Sequence, residues 1–145
     1  MNKLAEQARS LAERVAPLLG PLSEEQAVRC AIAELAEAKL LAWAVPARDG
    51  GAKTAGLVAE EHVSTRALCT LRHELAYFSG LLDVAFVMQG LGAYPIALGG
   101  SVELRARILP EVVAGRAIAA LALTEPGAGS AWAEIATTAA HEGSG

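Results

Sequence analysis

The stretch LALTEPGAGS at positions 121–130 holds residue types whose order could do chemistry. An apolar run ends in Thr124-Glu125-Pro126, and a loop of small residues, Gly127-Ala128-Gly129-Ser130, follows. Two glycines permit main-chain conformations in which N–H groups converge on an oxyanion, and Ser130 adds a hydroxyl donor. The Gly127-x-Gly129 spacing lacks the lysine of a nucleotide phosphate loop. Trp132 also stands where a third glycine would complete a dinucleotide fingerprint. Taken alone, the segment reads more readily as an ordinary turn than as a ligand loop.

Other reactive types are scattered. His62, Cys69 and His73 are donors that zinc accepts. A fourth ligand is missing, however, and a helix expected to start at Ser64 leaves His62 off its face. Surface or packed side chains are the expectation. Glu34, Glu37, Glu60, Glu61 and Glu74 read as solvated helix faces, and no Ser–His–Asp or Cys–His arrangement emerges. Cys30 and Cys69 form no CxxC pair and no disulfide framework, so both read as small buried hydrophobes.

The elements that would position these residues are mostly helical. In 145 residues, 53% are hydrophobic and only 4% aromatic, so the core must be built from Ala, Leu, Val and Ile, which suits close-packed helices. A net charge of −4 without any basic run argues against nucleic acid as a partner. The N-terminal MNKLAEQARSLAERV has no secretory apolar core, and Glu6 and Glu13 interrupt the basic face a transit peptide would need. A cytoplasmic helix is expected there. From Val84 to Val102 no charge occurs, close to the about 20 residues of a membrane span. Gln89, Gly90, Gly92, Pro95 and Gly99-Gly100 point instead to buried core helices and no span.

A first helix is expected over 3–19, stopped by Gly20-Pro21. Ser23 and Gln26 form a capping-box pattern for a second, whose apolar face runs from Val28 through Ala31, Ile32, Leu35 and Ala38 to Ala42. A loop follows Pro46, and 52–63 is ambiguous. Ser64 should cap a helix to about Ser79, burying Ala67, Leu68, Leu71, Leu75 and Phe78. Asp83 should open the uncharged helix, with a break near Gly90–Gly92 and an end at Gly99-Gly100. Ser101 should start a short helix, and Pro110 one more turn to Gly115. AIAALALT from Ala117 and IATTAA from Ile135 read as strands, and HEGSG as a turn.

The run Leu-Thr-Glu-Pro-x-Ala-Gly-Ser resembles the signature of the acyl-CoA dehydrogenases, flavoenzymes that oxidise acyl-CoA thioesters. The likeness continues upstream. AVPARDGG is similar to that family's Val-Pro-x-x-x-Gly-Gly loop, HELAY at 73–77 to its Glu-Leu-Ala helix, and GSVELRARILPEVVAGR to its Leu-Pro-x-x-x-x-Gly segment. It covers roughly residues 25–140.

The resemblance implies a mainly α fold. Residues 1–115 would form the N-terminal helical domain of the acyl-CoA dehydrogenase type, and 116–145 the opening strands of an incomplete middle β-domain. It implies FAD, with Leu121, Leu123 and Thr124 against the flavin, and Gly129 and Ser130 at its pyrophosphate. Ser130 would also lie near the CoA part of an acyl-CoA substrate, and 84–98 would line the acyl side. Glu125 is expected to support the turn rather than to act as a base. An electron-transfer flavoprotein or similar acceptor, a homo- or hetero-oligomer and a place in fatty acid metabolism are implied for the complete enzyme. Ala131 and Trp132 depart from the family's acidic residue after the serine. Half of the family's flavin contacts have no counterpart in these residues and Ala131 removes another, so the chain alone is expected to bind FAD weakly or not at all. Without the family's glutamate base it is expected to be inactive. A non-catalytic helical subunit pairing with a flavin-bearing partner, and a purely structural helical domain, are the other readings.

Overall fold

Serine hydroxyls set where the helices begin. In the computed structural model, which describes residues 2–140, Ser23, Ser64, Ser79 and Ser101 each accept a bond from the main-chain N–H three residues on. Such caps satisfy one of the N–H groups that a helix start leaves unpaired. Ser23 and Gln26 complete the reciprocal box. The helices are α1 (Asn2–Leu19), α2 (Glu24–Glu37), α3 (Thr65–Phe78), α4 (Gly80–Gly99) and α5 (Val102–Val113). Short 3-10 turns lie at Leu41–Ala44, Ala47–Asp49 and Trp132–Glu134. The expected turn at 141–145 lies outside the described residues.

Several boundaries differ from expectation. The second helix ends at Glu37 because Lys39 adopts a left-handed φ of 58°, and the apolar pattern to Ala42 is carried on by the 3-10 turn. Ser79, not Asp83, opens α4, which then runs unbroken through Gly90, Gly92 and Pro95. Pro110 likewise lies inside α5 rather than beginning a new turn. Pro17, Pro95 and Pro110 all sit on exposed faces, where water can serve the carbonyl each leaves unbonded.

Apolar stripes of α1, α2 and α3 meet α4 in one core. Val15 of α1, Leu35 of α2, Leu71 and Leu75 of α3, and Leu82 and Phe86 of α4 are fully enclosed there. A smaller cluster of Val45, Ala93, Ala97, Leu109 and Val112 joins α4 to α5. Glu74, read as solvated, is buried instead. Its carboxylate takes the Arg9 guanidinium at 2.9 Å, tying α3 to α1. Leu68 and Phe78 are half-buried. Cys30 is half-buried against the core, but Cys69 is exposed on the outer face of α3, which corrects its reading as a buried hydrophobe.

Among the described residues the two expected strands do not form. The segments 117–124 and 135–140 run without a strand partner, and the one β-bridge, Glu125 to Ala128, closes a turn. A strand needs a ladder, and alanine-rich sequence has little β-preference of its own. The chain enters this segment through Gly115, at a left-handed φ of 69°. A Cβ there would lie 2.8 Å from that of Ala36. Gly115→Ala should therefore cost about 1–3 kcal/mol and lower the thermal midpoint by several degrees. Gly20→Ala, where a Cβ meets open space, should not; equal melting of both variants would refute the account.

Candidate functional site

α4 carries two distinct features within two turns. The first is an apolar cavity of about 480 Å³. Phe86, Val87, Gly90, Leu91 and Tyr94 form its α4 wall, facing Ala44, Leu68 and the 62–65 segment. These lining residues fall inside the 84–98 stretch expected to face an acyl group, and the volume lies in the range of small-molecule sites. Polar character comes from His62, Thr65 and Arg72. The Arg72 guanidinium is already engaged by both Asp83 carboxylate oxygens at 2.8 Å, so its charge is locally balanced. Gly90 keeps the wall thin: a Cβ there would stand 3.3 Å from the Ala44 Cβ.

The second feature is on another face of the same helix. Gln89 is 1% exposed, in a helix otherwise made of apolar and small residues at its buried positions. A buried carboxamide is costly unless bonded, and this one is bonded to the extended segment. Its Nε2 donates to the Ala117 carbonyl at 3.0 Å, and its Oε1 accepts from the Ala119 N–H at 2.5 Å. A longer contact from Nε2 reaches the Val112 carbonyl at 3.4 Å. One turn on, Gly92 lies against the same main chain, and a Cβ there would come within 2.6 Å of the Ala120 nitrogen. Residues 115–120 accordingly alternate between half-buried and exposed, as a strand on a surface does. Sequence reasoning missed Gln89 as a functional residue; its only signal was a lone amide within an apolar run.

Beyond Ala120 the chain stands out from the body. Leu121, Leu123, Thr124, Gly129 and Ser130 are all exposed, the two leucines at 39% and 40%. Their order along one segment places them together, whereas His62, Cys69 and His73 are each exposed and form no common centre. Among the described residues no three His, Cys, Asp or Glu side chains are grouped to hold a metal ion. The turn itself is closed by paired main-chain bonds between Glu125 and Ala128, at 3.1 and 3.2 Å. The Glu125 carboxylate accepts from the Ala136 N–H at 3.0 Å, from the Thr137 N–H at 2.8 Å and from the Thr137 hydroxyl. Three donors brace the turn against 136–137, a supporting role as expected for this residue.

A family model described as the acyl-CoA dehydrogenase N-terminal domain matches residues 2–116. The chain belongs to the acyl-CoA dehydrogenase family. Among its relatives, the cyclohexane-1-carbonyl-CoA dehydrogenase of Geobacter metallireducens is 41% identical over 76 residues, which are 52% of this chain and 20% of that protein. That of Syntrophus aciditrophicus is 29% identical over 136 residues, or 93% and 33%. The benzylmalonyl-CoA dehydrogenase of Aromatoleum aromaticum is 35% identical over 134 residues, or 91% and 33%. The chain thus spans a fifth to a third of the length of these acyl-CoA dehydrogenases. α4 is long and apolar enough to cross a membrane, but it packs against α2, α3 and α5 with six of its residues buried.

For an acyl-CoA dehydrogenase the group to test against this site is FAD. Exposed Leu121 and Leu123 offer apolar surface to a ring, and Gly129 has open space where a side chain would stand. Ser130 is exposed. These residues fit one edge of such a group without enclosing it.

The braced turn has a pH dependence. The Ala136 N–H first, then the Thr137 hydroxyl and N–H, hold the Glu125 carboxyl below its ordinary value, about 4.3 in model peptides. A depressed native pKa means that the brace is complete above the unfolded value and is lost as pH falls through the native one. Amide shifts of Ala136 and Thr137 should titrate with a midpoint below that of a free glutamate. Glu125→Ala should abolish the transition. A midpoint at the ordinary value would sink this account.

Proposed function

We propose that residues 1–115 are the helical domain of an FAD-dependent acyl-CoA dehydrogenase and that 116–145 begin its flavin-contacting part. The observation that carries this reading is the junction on α4. Leu91 lines the apolar cavity, while the adjacent Gly92 touches the segment that leads into 121–130. An acyl group held along α4 and whatever that segment binds would therefore be positioned by the same helix turn. FAD, when bound, supplies a hydride acceptor for the β-carbon of the thioester.

The roles of this chain's own residues are those the family resemblance implies, and the exposure of these residues leaves them accessible for such contacts. Leu121 and Leu123 would flank the ring, and Thr124 would offer its hydroxyl and main chain. Gly129 and Ser130 would receive the pyrophosphate, where a bare Cα allows close approach and a hydroxyl can donate. Ser130 would also meet the CoA portion. Phe86, Val87, Leu91 and Tyr94 would exclude water from the acyl group. Relatives named for cyclohexane-1-carbonyl-CoA and benzylmalonyl-CoA favour a cyclic acyl group over a long linear one. Proton abstraction from the α-carbon is assigned to no residue here, because Glu125 is engaged by 136–137. The 145 residues by themselves are accordingly inactive and bind FAD weakly or not at all, and the active species is an oligomer that passes electrons to a flavoprotein acceptor.

Nuclear magnetic resonance titration of the 145-residue chain tests the assignment of the cavity. Cyclohexane-1-carbonyl-CoA should shift resonances of Leu68, Val87, Leu91 and Tyr94, whereas CoA alone should leave them in place. Gly90→Val should weaken that response several-fold by filling the thin wall. Equal shifts with CoA alone, or none with any thioester, would remove the acyl reading.

A further inference from the structure

The geometry points to Gln89 and Gly92 as a docking site for main chain, which sets where the 121–130 loop stands relative to the acyl cavity. In this role Gln89 is a positioning residue, and the functional part of the inference rests on the flavin reading of that loop.

Residues 89 and 92 are three apart on α4 and so lie on one face. That face offers what an extended chain needs. The Gln89 carboxamide presents one donor and one acceptor, spaced as a neighbouring peptide group would present them, to Ala117 and Ala119. Gly92 removes the side chain that would push Ala119 and Ala120 away, with nearest approaches of 2.8 and 2.6 Å to a Cβ placed there. The segment is fixed upstream as well, because the Glu111 carbonyl accepts from the Arg116 and Ala117 N–H groups at 2.9 and 3.1 Å. After Ala119 no comparable anchor occurs among the described residues until the Glu125 turn. The direction in which the chain leaves α4 is therefore decided at Gln89. The opposite side of this turn, at Gly90, Leu91 and Tyr94, is cavity wall. One helix turn thus fixes the loop and the cavity in a common frame.

Two variants of the 145-residue chain test this by different physical routes. Gln89→Leu keeps the volume and removes both bonds. The Ala119 amide should then exchange about tenfold faster, the factor that one net hydrogen bond is worth. Amides of α1, α2 and α3 should keep their protection. Gly92→Ala strengthens α4 by helix propensity yet displaces Ala119 and Ala120. It should release the same amides while those of α1, α2 and α3 keep their protection, a pairing that general destabilisation cannot produce. Unchanged exchange at Ala119 in both variants overturns the inference. FAD is the second probe, read at Thr124, Gly129 and Ser130. Shifts present in the parent chain and diminished in Gln89→Leu support the positioning role, while equal shifts in both overturn it. Where FAD shifts nothing in either chain, as absent binding by this chain alone predicts, the exchange data decide the docking.

Discussion

A chain that lies extended on a helix has peptide groups facing a surface that ordinarily has none to offer. Helix side chains are the only source of donors and acceptors there, because the helix main chain is already paired with itself. Gln89 meets this requirement for Ala117 and Ala119, and it can do so because the carboxamide carries the same two groups as the peptide. Exchanging it for an apolar residue would leave two polar groups of the segment facing hydrocarbon. The half-buried alternation of 115–120, the clearance at Gly92 and the left-handed exit at Gly115 all serve this one contact.

The features legible in the sequence were those with a local cause. A serine ahead of an apolar periodic run marks a helix start whatever packs on that helix, and Ser23, Ser64 and Ser101 were identified in this way. The signature at 121–130 was legible as a resemblance, and the match over residues 2–116 supports the same family. Features decided by what stands opposite were not legible. Nothing in the local run distinguishes Glu74, buried beside Arg9, from the exposed Glu60 and Glu61. Cys69 is small and apolar enough for a core, but it falls on the outer face of α3.

The glycines and prolines of α4 and α5 illustrate the same limit. Local propensity reads Gly90 and Gly92 as a break and Pro110 as the start of a new turn, since each costs helix stability in isolation. Packing overrides that cost. α4 is apolar over most of its circumference, and its contacts with α2, α3 and α5 are worth more than the lost propensity. Its glycines are then free to act as clearances, toward Ala44 at Gly90 and toward Ala120 at Gly92. The expected strands fail for the converse reason: a strand is defined by its neighbours, and among the described residues 117–124 has a helix side chain for a partner instead of a ladder.

A helix of 3.6 residues per turn points four successive side chains around its full circumference. Residues 89–92 of α4 use that spread completely. Gln89 and Gly92 face the extended segment, Gly90 approaches Ala44, and Leu91 closes the cavity. No second element lies between the wall that would hold an acyl group and the surface that holds the loop. Their separation is therefore set by the width of one helix and not by the sum of several packing contacts. Sliding or rotating α4 would move wall and loop together, which preserves their relation through small adjustments of the core. Chemistry between two bound groups depends on holding that relation to a fraction of an ångström, and a single rigid element meets this demand more simply than a hinge between two.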